Sequence, residues 1–286
     1  MRLLKIGLSR AWFSGVLLVA RYRLPLVVFG VPLPGKRNPY LVLVSERELV
    51  DVEVEVEESS SPKLRVDGSS LGWRVEIALR SFLDVVCDRL EQPLQATVYL
   101  ETGVESLPSA SIYAVLSLEL VKSVSEAGGY NLEPLELLEA AKSVDVDAGV
   151  DFDYVWACRT ALMRGRATVF REGEEPLDAN VPSVELELVG EEGVGREIGG
   201  VLGETLYSLL TRLAGFTVVE LVNRLRNGES WENVWGTGAR IENAIYYLYY
   251  GLNPPAGEEC KWTPGFQSGY GVCAKGAGLG ELVKFV

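Results

Sequence analysis

Alternation and helical spacing of apolar side chains divide the chain into elements. Residues 24–31 and 40–44 are short apolar runs, and residues 50–57 alternate strictly between Val and an acid, so each reads as a strand. The alternation gives residues 50–57 one apolar face and one charged face that is expected to meet solvent. After the turn cluster Ser59-Ser60-Ser61-Pro62, a short strand at 64–66 leads into a helix over 71–90. There Trp73, Val75, Ile77, Ala78, Phe82, Val85, Val86 and Leu90 recur at helical spacing. Residues 95–101 return to alternation, 103–108 form a connection, and a second helix is expected over 109–124. Gly128-Gly129-Tyr130-Asn131 breaks the chain before a helix over 132–143 with Pro134 in its first turn.

Residues 145–153 are expected as an acidic loop, followed by a helix over 154–163 and a strand over 166–171. A turn at 172–176 precedes an alternating strand at 184–189. The Gly-rich stretch 190–195 is the best candidate boundary between lobes, dividing 1–189 from 190–286. Three helical patterns follow, at 198–213, 217–227 and 231–252. A loop rich in Gly and Pro over 253–271, a Gly-rich turn and a strand at 281–286 complete the chain. This order predicts an α+β fold of two lobes: an N-terminal mixed sheet with helices, and a helix-rich C-terminal lobe with a small antiparallel sheet.

Composition narrows the function. With 286 residues, 48% apolar and 23% charged, the chain is of ordinary globular make-up. Its formal net charge of −13 repels phosphate backbones and anionic lipid, so neither nucleic acid nor a membrane is an expected partner, and a small-molecule substrate is. Residues 3–34 are rich in Leu and Val, but Arg10, Arg21, Arg23 and Pro25 interrupt them before they reach the ~18 apolar residues of a membrane span. Cys87, Cys158, Cys260 and Cys273 are scattered without a C-x-x-C pair, which fits reduced thiols and a cytoplasmic location. Histidine is absent, so any acid or base is Asp, Glu, Lys, Tyr or Cys, and triads or metal sites built on histidine are excluded.

Four places could carry chemistry. Gly35-Lys36-Arg37-Asn38 places two cations at a strand end, suited to an anion, although a solvated hairpin tip reads the same way. Ser109-Ala110-Ser111 opens a helix after a strand and a loop, where unpaired N–H groups hold phosphate, or where Ser109 simply caps the helix. Asp145, Asp147, Asp151 and Asp153 precede Ala157-Cys158-Arg159. Carboxylates there could ligate magnesium or accept a proton, or the stretch could be a surface loop with an ion pair. Lys275-Gly276-Ala277-Gly278-Leu279-Gly280 lets backbone approach a ligand or a neighbouring element closely.

In order and content these places resemble the GHMP kinase superfamily. Within it, the mevalonate diphosphate decarboxylase and mevalonate 3-kinase branch is the most similar. Gly35-Lys36-Arg37-Asn38 looks like that branch's Gly-Lys-Arg-Asp turn, Ser109-Ala110-Ser111-Ile112-Tyr113-Ala114 like its Ser-Ala-Ser-Gly-Phe-Ala helix start, and Ala157-Cys158-Arg159-Thr160 like its Ala-Cys-Arg-Ser. The resemblance implies ATP and Mg2+ as cofactors. It places Ser109, Ala110, Ser111, Gly276 and Gly278 at the nucleotide, Ser111 and Asp145 at the metal, and Lys36, Arg37 and Arg159 at the substrate. Asp151, Asp153 and Lys275 take the catalytic positions. Lys275 stands where the branch carries an aspartate in an Asp-Ala-Gly-Pro-Asn turn, and residues 105–108 replace a Gly-rich stretch.

Two readings follow. The first is ATP-dependent phosphoryl transfer to a hydroxyl of a mevalonate-like acid in isoprenoid biosynthesis, with decarboxylation as an optional second step and Lys36 or Lys275 offsetting developing charge. The second is a binding or assembly subunit without catalysis, favoured by Lys275 and the shortened loop. A homodimer is compatible with either.

Overall fold

The structure is a computed structural model and describes residues 19–33, 37–150, 152–193, 203–257, 259–266 and 268–286. Ten strands and six helices alternate along them: β1 (Ala20–Phe29), β2 (Tyr40–Glu58), β3 (Lys63–Gly68), α1 (Trp73–Leu90), β4 (Leu94–Thr102), α2 (Ser109–Ala127), α3 (Pro134–Asp147), α4 (Asp153–Arg164), β5 (Thr168–Phe170), β6 (Leu177–Asp178), β7 (Val184–Gly193), α5 (Glu204–Arg226), α6 (Trp231–Tyr250), β8 (Cys260–Gly265), β9 (Ser268–Ala274) and β10 (Glu281–Phe285). The α+β class read from the pattern is the one observed. The chain gathers into two compact units, each assembled from separated segments.

One unit contains Glu48–Gly103 and Ile112–Phe152. Here β4 pairs antiparallel with the second half of β2, from Val50 opposite Thr102 to Glu58 opposite Leu94, and parallel with β3. The Val/acid alternation of β2 therefore sits in a true ladder, with Val50 and Val52 buried and Glu55 and Glu57 exposed. Helix α1 buries Val75, Leu79, Phe82, Leu83 and Val86, each contributing about 1.5–3 kcal/mol. It leaves Trp73 and Ile77 in solvent. Helix α3 starts at Pro134 with a capping box between Glu133 and Glu136, and continues through Asp147. Asp145 and Asp147 are thus helical, a correction to the expected acidic loop. Leu137, Ala141 and Val144 supply the apolar stripe that carries the helix past the point where the acids suggested an end.

The other unit contains Arg23–Arg47, Val104–Ser111 and Asp153–Val286. In it β10 pairs antiparallel with β7 from Glu281 opposite Leu188 to Phe285 opposite Val184, and its Phe285 pairs with Ser45 of β2. Strand β7 pairs in turn with β9, and β9 with β8. Three sequence expectations are corrected here. The strands expected at 40–44 and 50–57 are one strand, which runs on through the polar stretch 45–48, with Ser45 paired to Phe285. The helices expected at 198–213 and 217–227 are a single α5 where described. Gly215 costs about 1 kcal/mol in a helix interior and does not break it, since its bare face lies against Pro39, with room for a Cβ only 3.6 Å from the ring. The stretch 253–271, read as loop from its Gly and Pro, contains β8 and begins β9. Residues 190–193 are the end of β7.

Helices α5 and α6 cover this sheet through a core of Val31, Leu33, Leu210, Ala214, Ile245, Tyr246, Tyr249, Leu252 and Trp262. Helix α6 is capped by Ser230, which accepts from the Asn233 N–H, and ends on Gly251 at φ 69°. Its Gly238 lets it come close to β1 and α5: an added Cβ would lie 2.8 Å from Leu221 Cδ1 and 2.9 Å from Phe29 Cδ1.

Candidate functional site

Helix α2 begins at Ser109, and its first turn is buried: Ser109, Ala110 and Ser111 are all 5% exposed or less. The Ser109 hydroxyl accepts from the Phe266 N–H at 2.7 Å and donates to Glu191 Oε1, which also receives the Ser268 hydroxyl. Two serine hydroxyls, one of them on the first residue of α2, thus converge on one carboxylate oxygen. Gly265 is required beside them, since a Cβ there would meet the Ser109 hydroxyl at 3.1 Å and collide with Glu191 and Ser268.

The start of α4 joins the same neighbourhood. The Tyr154 hydroxyl donates to the Gly265 carbonyl at 3.2 Å, next to the Phe266 N–H that reaches Ser109. Asp153, the first residue of α4, accepts from the Tyr40 hydroxyl at 2.7 Å. Burial, and then the Asp153 carboxylate, push the Tyr40 pKa well above its usual 10.0, so Tyr40 remains protonated and donates. Six residues on, Arg159 is 1% exposed on the same helix.

The Gly-rich turn behaves differently. The N–H groups of Gly276, Gly278 and Leu279 donate at 2.9, 3.0 and 2.8 Å to the carboxylate of Glu187. These bonds hold the Glu187 pKa below its usual 4.5. Lys275 lies at the surface and pairs with Glu185. The donors expected at a nucleotide therefore serve the chain's own carboxylate, and the cation expected in catalysis serves an exposed ion pair. Glu187 and Glu191, four residues apart on one strand, reach different partners because the register shifts between Leu188 and Gly190. Glu187 stands opposite Cys273 and Glu191 opposite Tyr270, three residues apart on β9, so the two acids point to opposite faces.

The remaining expected residues are dispersed. Asp145, expected at the metal, is fully buried in α3 and accepts from the Tyr113 hydroxyl at 2.8 Å. Arg37 is exposed and pairs with Glu172 at 3.1 Å, and its carbonyl accepts from Arg171. Lys36 and Asp151 lie outside the described residues. Among the described residues no group of three or more acids and cysteines is placed to hold a metal ion. For nucleotide the fit is divided: an anionic oxygen already sits on Ser109 and Ser268, whereas the turn at Gly276 and Gly278 is filled by Glu187.

Sequence reasoning missed Tyr40, Glu187, Glu191 and Ser268. Tyr40 lay in an apolar run and Glu187 in an alternating strand, whereas Glu191 fell in the Gly-rich stretch read as a lobe boundary and Ser268 in the stretch read as a loop, so none stood out. It also missed the Cys260–Cys273 disulfide, a correction to four reduced thiols; Cys87 and Cys158 are free and buried. The two bonded cysteines stand directly opposite each other in the β8–β9 ladder, a proximity that their sequence separation of 13 does not reveal.

No protein-family model matches the chain, and no curated protein is similar to it in sequence. Solved structures are. The mevalonate kinase of Methanococcus jannaschii superposes with a TM-score of 0.60 at 10% identity, over 91% of each chain. The mevalonate kinase of L. major, solved with R-mevalonate, gives 0.57 at 13% identity over 96% of this chain and 91% of that one. The mevalonate pyrophosphate decarboxylase of Streptococcus pyogenes gives 0.57 at 9% identity over 94% and 96%. Identities this low speak to backbone architecture, and in that architecture the chain shares the fold of these mevalonate kinases and of the decarboxylase.

Proposed function

We propose that the chain is an ATP-dependent small-molecule kinase acting on a hydroxyl of a mevalonate-like acid. One observation carries this reading: Asp153, held by Tyr40 at the start of α4, is linked through Tyr154, Gly265 and Phe266 to the Ser109 hydroxyl at the start of α2. The link supports a reading in which a proton-accepting carboxylate at the start of α4 works with a helix N-terminus suited to phosphate. Asp153 takes the proton of the acceptor hydroxyl, Tyr40 fixes the orientation of its carboxylate, and Arg159 pairs with the carboxylate of the acid. Magnesium nucleotide supplies the phosphoryl group. The Glu191 side chain, on an exposed residue, swings away from Ser109 and Ser268 to admit it. Loss of the substrate's carboxylate after transfer, as a decarboxylase of this fold would perform, belongs to the same proposal.

The second reading, a binding or assembly subunit without turnover, is favoured by Glu187 filling the Gly-rich turn and by Lys275 pairing at the surface. Isothermal titration with Mg2+-ATP, alone and with mevalonate or its phosphates, separates the two. Heat of turnover that falls at least about 100-fold in Asp153→Asn, with nucleotide binding retained, supports the kinase. Absence of nucleotide binding at millimolar concentration removes it and leaves the second reading.

A further inference from the structure

Helix α5 buries Leu210, Ala214, Thr217, Val218, Leu221 and Val222 and turns a second apolar row outward: Leu206, Leu209, Leu213, Phe216 and Val219, from 39% to 66% exposed. Their spacings of three, four, three and three residues keep them on one side of the helix. The row explains why α5 is long and apolar enough to cross a membrane while only 33% of its most apolar window is buried. No described residue covers these side chains to burial. We infer that this row is the contact through which two copies of the chain associate, α5 against α5.

Area selects the occupant. The five side chains leave roughly 500 Å² of apolar surface in solvent, at the upper end of what a monomer exposes in one patch. A stable interface covers about 800 Å² per partner, of which about 60% is apolar. One such row with a polar surround therefore has the make-up of one side of a dimer. Glu204, Thr205, Arg212, Glu220 and Asn223, all exposed, supply that surround. The first four outward residues, 206, 209, 213 and 216, follow the alternating three-and-four spacing that lets two helices interlock side chains along a shared seam. A row facing a second identical row satisfies both copies at once, as a twofold contact requires. The anionic surface of the protein, at −13, disfavours an anionic lipid bilayer as the alternative occupant. The inference stands apart from the kinase reading, since none of these residues belongs to the Ser109–Asp153 neighbourhood.

Sedimentation velocity of the full chain at micromolar concentration tests it. The wild type is expected to sediment as a dimer, and Leu209→Glu/Phe216→Glu as a monomer with unchanged circular dichroism and at least a 10-fold weaker dimerisation constant. If the charged variant does not fold, Phe216→Cys in the otherwise intact chain is expected to give a covalent dimer on mild oxidation, and Glu220→Cys a slower one. A monomeric wild type overturns the inference, as does a dimer that survives the charged substitutions. Flotation of monomeric wild type with neutral phosphatidylcholine vesicles would also overturn it and assign the row to lipid.

Discussion

Glu187 is a strand residue whose carboxylate accepts three backbone N–H groups from a turn nearly a hundred residues away. Those bonds are stronger to the ionised form, which is why its pKa lies below the usual 4.5. A depressed folded-state pKa contributes stability above the unfolded value and loses it as pH falls through the folded one. Thermal unfolding followed from pH 7 downward should therefore show a fall in Tm beginning at about pH 4.5 that is shallower in Glu187→Gln. The buried pair Glu242–Lys261 is a second such feature. Both side chains are 1% exposed; Gly30 N–H donates to Glu242 at 2.6 Å, and Lys261 donates to the Val28 carbonyl at 2.6 Å and lies over Phe29 and Trp235. Burial pushes the Glu242 pKa up and the Lys261 pKa down, and their mutual attraction opposes both shifts. Glu242→Gln strands the ammonium and should cost about 3–5 kcal/mol in denaturant unfolding, whereas the double change Glu242→Leu/Lys261→Met should cost much less. Neither feature was legible in the sequence, where an acid in a strand and a lysine beside a cysteine have no visible partners. Asp153 was legible as a candidate carboxylate; Tyr40, which orients it, was not.

At the scale of elements, most of the regular structure was readable because one face of each element is buried and its period shows. Helices α1, α2 and α4 and strand β4 lie within a few residues of where their spacing placed them. Among the strands, composition misleads where a ladder supplies the hydrogen bonds: β8 and β9 contain Gly, Pro and Thr, yet pair from Cys260 opposite Cys273 to Gly265 opposite Ser268. The disulfide between those cysteines closes a loop of 13 residues' separation at the root of the hairpin whose tip carries Gly265, Phe266 and Ser268. By the loop-closure argument it contributes about 3 kcal/mol. Cys260→Ala/Cys273→Ala should lower unfolding free energy by about that amount in urea titration, and phosphate binding at Ser109 should weaken with it as the tip loosens.

Over the whole molecule, a formal charge of −13 on 286 residues imposes self-repulsion that no single ion pair relieves. Most ion pairs here are at the surface, such as Lys275–Glu185 and Lys284–Glu46, and contribute little each. Raising neutral salt from about 10 mM to about 200 mM should therefore raise Tm by a few degrees, read by scanning calorimetry, because screening removes more repulsion than attraction. A Tm that falls instead would show that local ion pairs outweigh the net charge.

The sequence alone determined the α+β class, most elements, the exclusion of histidine chemistry and a resemblance in motif order that the fold shares. These follow from local period and composition, which a chain carries before it folds. Only the tertiary structure decided that the Gly-rich turn cradles Glu187, that a bulge in β7 sends Glu191 to Ser109 and Ser268, that Asp145 is an internal acceptor, and that Cys260 meets Cys273. Each is a pairing between different elements of the fold. The register and twist that bring such segments together are set by the summed packing of the core, which no single residue records.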